Sequence, residues 1–142
     1  MEAIRPFPSL YSFKNVFFAG VRAVLGMLLF TKGITFVFNM DELQEMVRDT
    51  GISSSIETLS YIISITHLAG GTFIILGLLT RIAIIFQIPI LIAAVIFNIA
   101  SDVYGKTSEL ILSIAILTLL IYYLVKGPGE ISMDAYRKTH QL

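Results

Sequence analysis

Residues 62–97 read IISITHLAGGTFIILGLLTRIAIIFQIPILIAAVIF, and they decide the fold. Two apolar runs, 62–79 and 82–97, meet at Thr80-Arg81, and neither run holds an Asp, Glu, Lys or Arg. A bilayer core takes about 20 mostly apolar residues per helix, so this stretch reads as two spans joined by a tight turn at Leu79–Ile82. Working outward, two more segments qualify, giving spans at 14–38, 57–79, 82–100 and 109–126. Four spans put both ends of the chain on one side. The composition agrees: 56% of the 142 residues are hydrophobic and 14% are charged, where a soluble domain of this size carries about 25% charged residues. The expectation is an all-α integral membrane four-helix bundle, a single transmembrane domain over residues 1–142.

Charge removes one class of function and orients the chain. Ten basic and ten acidic residues cancel, and no basic stripe is interleaved with aromatics, so nucleic acid is excluded as a partner. Arg5, Lys14, Arg81, Lys126, Arg137 and Lys138 fall on one side of the predicted spans and only Arg48 and Lys106 on the other. The positive-inside rule then predicts that both termini and the turn at 79–82 are cytoplasmic. Tyr11, Tyr61, Tyr104, Tyr122 and Tyr123 lie near span ends, as an aromatic belt would place them. Arg22 breaks the first apolar run and Glu2 and two prolines precede it, so that segment reads as a retained span and not as a signal peptide.

The connections carry their own signals. In NMDELQEMVRDTG, residues 39–51, Met40, Leu43 and Val47 share one helical face, which predicts a short interfacial helix in the first outer loop, ended near Gly51. Ser54-Ser55-Ile56-Glu57 has the spacing of a capping box opening the second span. Gly127-Pro128-Gly129 stops the fourth span, and ISMDAYRKTHQL beyond it predicts one or two turns of amphipathic surface helix.

Polar residues inside the spans are the functional candidates. Arg22 and Lys32 each cost about 2.5 to 3.5 kcal/mol at a bilayer centre, so they should face neighbouring helices. At 100° per residue Arg22 shares a face with Gly26 and Gly33, a pattern that lets another backbone approach closely. In the second span Ser60, Ser64, His67 and Gly71 share a face; in the third, Gln87, Ala94 and Asn98 do so. In the fourth, Glu109 and Ser113 pair at helical spacing. These faces predict one polar column: Arg22 and Gln87 as its inner part, His67 in the middle, and Lys32, Ser64, Asn98, Asp102 and Glu109 at an outer mouth. Such a column suits a polar ligand head group or a proton path, because imidazole titrates near neutral pH and cations hold anionic or carbonyl oxygens. The same side chains equally serve as interhelical packing glue. Pro89 should bend the third span near Gln87.

Several chemistries are excluded. With no cysteine there are no disulfides, thiolate zinc sites, iron–sulfur clusters or thiol redox steps by this chain. His67 is the one histidine within a predicted span, so a bis-histidine haem lacks its second ligand. No metal motif, nucleotide fingerprint or nucleophile signature is found, and no catalytic residue is assigned.

Four features together resemble the DoxX family of small four-helix membrane proteins. They are Arg22-x-x-x-Gly26 with Lys32-Gly33, Gly70-Gly71 followed by Gly77-Leu78-Leu79-Thr80-Arg81, an Asn-bearing third span, and Gly127-Pro128-Gly129-Glu130-Ile131-Ser132-Met133-Asp134. The family pattern commonly carries an acid three residues before the paired glycines, where this chain has His67. The resemblance implies a prokaryotic inner-membrane protein, tied in some relatives to quinone-linked oxidation of sulfur compounds or to a membrane oxidoreductase complex. The expected cofactor is a bound quinone or lipid, and the expected partners are membrane lipids and other membrane subunits. Two alternatives stand beside this: a non-catalytic assembly or stabilising protein, and a small-solute or proton transporter.

Overall fold

The computed structural model describes residues 12–52, 55–100 and 107–140, and among them every regular element is a helix. In chain order these are α1 (Phe13–Phe38), α2 (Met40–Asp49), α3 (Ile56–Leu76), α4 (Thr80–Ala100), α5 (Thr107–Lys126) and α6 (Met133–His140). At 1.5 Å per residue, α3, α4 and α5 are about 30 Å long and match a bilayer core, while α1 is longer by several ångströms. All four are apolar enough to cross a membrane, and only 17% to 33% of each apolar window is buried inside the protein. The rest of each helix turns outward. Phe86, Ile96, Ile99, Ile111 and Val125 are all exposed, as lipid-facing side chains would be.

Glycine decides which helices touch most closely. A methyl group on Gly71 would lie 2.7 Å from the Phe30 backbone nitrogen and 2.8 Å from the Gly26 carbonyl. One on Gly33 would lie 2.8 Å from the Leu68 nitrogen. Helices α1 and α3 are therefore in backbone-to-backbone contact, the arrangement small residues permit inside a membrane. Helices α4 and α5 form a second pair, and α4 also packs on α3. Between them lies a small core of Leu25, Leu29, Ile74, Ala83, Ile84, Leu91, Ile116, Leu120 and Tyr123.

Both boundaries at the junction of the second and third spans differ from the sequence expectation. The second span ends at Leu76 and not at 79, because Gly77 takes φ +67° and closes the helix. The Gly77 amide donates to Ile74 (3.2 Å) and the Leu78 amide to Phe73 (2.9 Å), a Schellman pairing that satisfies the last carbonyls. The third span starts at Thr80, so Thr80 and Arg81 lie in the first turn of α4 rather than in the turn before it. The loop helix α2 forms as the periodicity indicated and buries Leu43 and Val47. Helix α3 begins after Ser55, which has φ 65° and makes no side-chain cap bond; Ser54, the other serine of the expected capping box, lies outside the described residues. Beyond α5, the two turns of α6 are present.

The bundle thus has two ends. The loop end carries α2; the tail end gathers the start of α1, the α3–α4 turn, the end of α5 and α6.

Candidate functional site

At the tail end, polar groups reach across from one segment to another. Arg22 on α1 is 4% exposed, and its Nε donates to the Ile74 carbonyl (3.0 Å) while Nη1 donates to the Pro128 carbonyl. One guanidinium thereby ties α1 to the end of α3 and to the segment after α5. Only Arg offers donors in a rigid fork that can serve both carbonyls at once. Asp134, the second residue of α6, accepts from the backbone amides of Leu79 (2.8 Å) and Thr80 (3.1 Å). A carboxylate there caps α4 from a distant part of the chain and meets the positive end of its dipole. Its own amide donates to the Gly77 carbonyl at 2.9 Å, and its charge acts on Arg22.

Further crosslinks close the same region. Tyr123 donates to the Phe18 carbonyl at 2.6 Å with its ring 4.6 Å from that of Phe18, and Asn15 donates to Glu130 at 2.7 Å. Ser132 accepts from the Ala135 amide at 3.1 Å and so caps α6. Gly77 is required twice: its φ is left-handed, and a side chain would strike Ser132 Cβ at 2.6 Å and Arg22 Cζ at 2.9 Å. The Thr80 hydroxyl is the exception, buried with no partner.

Toward the loop end the polar residues behave differently. Ser60 and Ser64 are buried, and each hydroxyl donates to the carbonyl four residues back, Ile56 (2.8 Å) and Ser60 (2.9 Å). His67 is 4% exposed, with Nδ1 3.2 Å from the Ile63 carbonyl and the ring edge-on to Phe36 at 5.3 Å. A carbonyl only accepts, so Nδ1 carries a proton, and in the neutral form of the ring Nε2 is an acceptor. Gln87 on α4 is fully buried; its Nε2 donates to the Thr66 carbonyl (2.7 Å) and its Oε1 has no partner. Gly70 leaves room for this side chain, since a methyl there would lie 2.3 Å from Nε2. Lys32 Nζ lies 3.9 Å from Glu109 Oε1, with both side chains more than a third exposed, and Lys32 is within electrostatic range of His67. Asn98 donates to Ser113 at 3.5 Å.

The expected column therefore appears as separate groups. Arg22 and Gln87, expected together as its inner part, bond different partners, because Arg22 is drawn to carbonyls at the tail end. Lys32 and Glu109 do meet across α1 and α5. Ser64 spends its donor on its own helix, and Asp102 lies outside the described residues. Sequence reasoning missed two structural residues. Tyr123, assigned to an interfacial belt, is 1% exposed in the core. Adjacent Tyr122 and Tyr123 are about 100° apart on a helix, so one facing lipid turns the other toward the interior. Asp134 gave no signal beyond its place in the motif.

The family motifs converge here. Arg22, the Gly77–Thr80 turn and the Gly127–Asp134 segment are remote in sequence and bonded together at the tail end. The DoxX family model matches residues 17–99, more than half of the chain. The chain belongs to the DoxX family. Searches among curated proteins and among solved structures gave no match. The matched stretch contains α3, all but the last residue of α4 and nearly all of α1, so Arg22, Gly70-Gly71 and the Gly77–Thr80 turn lie within it, and the Pro128 carbonyl and Asp134 carboxylate beyond it.

Proposed function

We propose that this DoxX protein is a small subunit of a larger, redox-linked membrane assembly, and that the seam formed by Lys32, His67 and Gln87 contacts the head group of a quinone or lipid. The observation that carries this reading is the Gln87 side chain, fully buried with Oε1 unpaired and bonded through Nε2 to the carbonyl of Thr66, the residue before His67. A buried acceptor without a partner costs about 1 to 3 kcal/mol, which a ligand hydroxyl would offset. The donor set fits a quinone in both redox states: Lys32 can donate to a carbonyl oxygen, and Gln87 Oε1 and His67 Nε2 can accept from a hydroxyl. A quinone would supply the two-electron couple that the chain's own side chains lack. The protein's part is to orient the head group, and to hold a proton at His67 Nδ1 against the Ile63 carbonyl.

Within this reading the basic tail end faces the cytoplasm of a prokaryotic cell, and α2 lies in the outer membrane–water boundary. The absence of native cysteine makes orientation simple to measure. A single cysteine at Lys138 should react with an impermeant maleimide only after the membrane is opened, and one at Arg48 should react in intact cells. For the ligand, the protein is extracted from native membranes in mild detergent and its bound quinone and lipid are quantified. Retention by the native chain and loss in His67→Ala and Gln87→Leu, with helix content kept, is the expected result. Equal retention by the variants would end the proposal.

The second reading, a non-catalytic assembly protein, is favoured by one observation. The best-buried cation, Arg22, is spent on holding segments together, while most of the surface of the spans is left apolar. Partner subunits that co-purify without quinone would favour it.

A further inference from the structure

The tail end holds a cavity of about 590 Å³, apart from the seam and bordered by crosslink residues Pro128, Glu130 and Asp134. Arg81 at the start of α4, Lys126 at the end of α5, and Arg137 and Lys138 on α6 line it. Four cations converge there from three helices. Two carboxylates also line it, and both are engaged elsewhere: Asp134 on the first amides of α4, and Glu130 as an acceptor from Asn15. Among the described residues, no carboxylate lies within ion-pair distance of any of the four cations. Four cations against two carboxylates leave the lining with a net formal charge of +2.

Its depth fixes the chemistry further. Arg81 and Lys126 sit at the ends of spans, where the hydrocarbon core gives way to the phosphate layer of the bilayer. Leu79 and Ile82, both exposed, border the cavity and would face acyl chains beside it. A pocket lined by cations and bordered by exposed apolar side chains matches an amphiphile with a phosphate head. Arg adds donors in a fork that pairs with phosphate oxygens, and each Lys adds a point charge.

We propose that this cavity binds the phosphate oxyanion of an anionic phospholipid, with Arg81 and Arg137 as bidentate donors and Lys126 and Lys138 as supporting charges. The proposal is independent of the quinone reading, since it uses none of Lys32, His67 or Gln87. Binding there would also press α6 against the α3–α4 turn that Asp134 caps, so lipid and cap reinforce one another.

The test uses the full chain in detergent, titrated with phosphatidylglycerol, phosphatidylcholine or inorganic phosphate and read by native mass spectrometry and thermal melting. The variants are Arg137→Gln with Lys138→Gln, on the exposed face of α6, and Arg81→Gln separately. Phosphatidylglycerol should bind in preference to phosphatidylcholine by about tenfold or more and raise the melting temperature. Each cation removed should weaken that binding by about fivefold, the factor expected of one charge at an anionic surface. Melting protection by inorganic phosphate that the variants lose, without lipid preference, would support the oxyanion site and assign it a soluble phosphate. Equal binding of the two lipids by the native chain together with phosphate protection that is absent or survives in all the variants, or an anionic preference that survives in all the variants, would overturn the proposal.

Discussion

The two ends of the bundle use similar polar side chains in opposite ways. At the tail end, Arg22, Asp134, Tyr123 and Asn15 all bond to segments more than 50 residues away in sequence. Toward the loop end, Ser60, Ser64 and His67 bond within their own helix, and Gln87 reaches across from α4 to the Thr66 carbonyl with its other atom unpaired, as the Thr80 hydroxyl is at the tail end. A polar group that reaches another segment defines the fold. One that only satisfies its own helix, or half satisfies itself, adds little to topology and remains open to a ligand. The tail end should therefore dominate stability, and the loop-end seam should be tolerant of change yet sensitive in binding.

The largest expected effect is at Arg22. Arg22→Ala takes its donor from the Pro128 carbonyl, at about 1 to 3 kcal/mol for an unsatisfied group, leaves the Ile74 carbonyl with the Gly77 amide alone, and opens a void beside Gly77. A loss of about 2 to 5 kcal/mol in denaturant unfolding is expected, and Arg22→Lys should recover little, since one ammonium cannot serve both carbonyls in the same geometry. Full stability in Arg22→Lys would remove the distinction between the two ends. Next comes Gly71→Ala, which must push α1 from α3 because its new methyl meets backbone atoms at 2.7 and 2.8 Å. A loss of about 1 to 3 kcal/mol is expected. Gly20→Ala is the control on the same helix as Gly26; nothing lies within 4 Å of its added carbon, so stability should hold or rise slightly.

Much of this was legible in the sequence, for reasons that differ by feature. Span number and the existence of α2 and α6 follow from length and periodicity of apolar residues, which a bilayer enforces strictly. The close approach of α1 and α3 followed from Gly26, Gly33 and Gly71, because a missing side chain has one consequence wherever it is buried. The partners of Arg22 did not follow. A buried cation seeks the best acceptors within reach, and those were backbone carbonyls of Ile74 and Pro128, which every residue has and which no sequence pattern marks. Facing direction alone placed it beside Gln87. The second-span boundary was missed for a related reason: Leu78 and Leu79 read as continuing the apolar run, while Gly77 ended the helix three residues earlier.

Asp134→Ala tests the remaining crosslink of the tail end. It removes the acceptor for two amides at the start of α4, and a loss of about 1 kcal/mol is expected, the usual cost of losing a helix cap. Asp134→Asn should fall between native and Ala, since an amide oxygen still accepts but brings no charge to the helix dipole. Thermal melting of the three proteins side by side orders them.

The smallest stability effect belongs to Lys32. Its ammonium sits 3.9 Å from Glu109, at the limit of an ion pair, and both side chains are more than a third exposed. Pairs of that kind contribute between zero and about 1 kcal/mol, so Lys32→Met should change unfolding by no more than about 0.5 kcal/mol. Methionine keeps a flexible apolar stem of comparable length, which leaves the packing of α1 beside His67 nearly undisturbed. The same substitution removes the one cation of the seam and the donor a ligand carbonyl would use. Quinone or lipid retention should therefore fall while the melting curve stays in place. A melting loss as large as that of Arg22→Ala would make Lys32 another structural tie, and the two ends of the bundle would then differ in degree only.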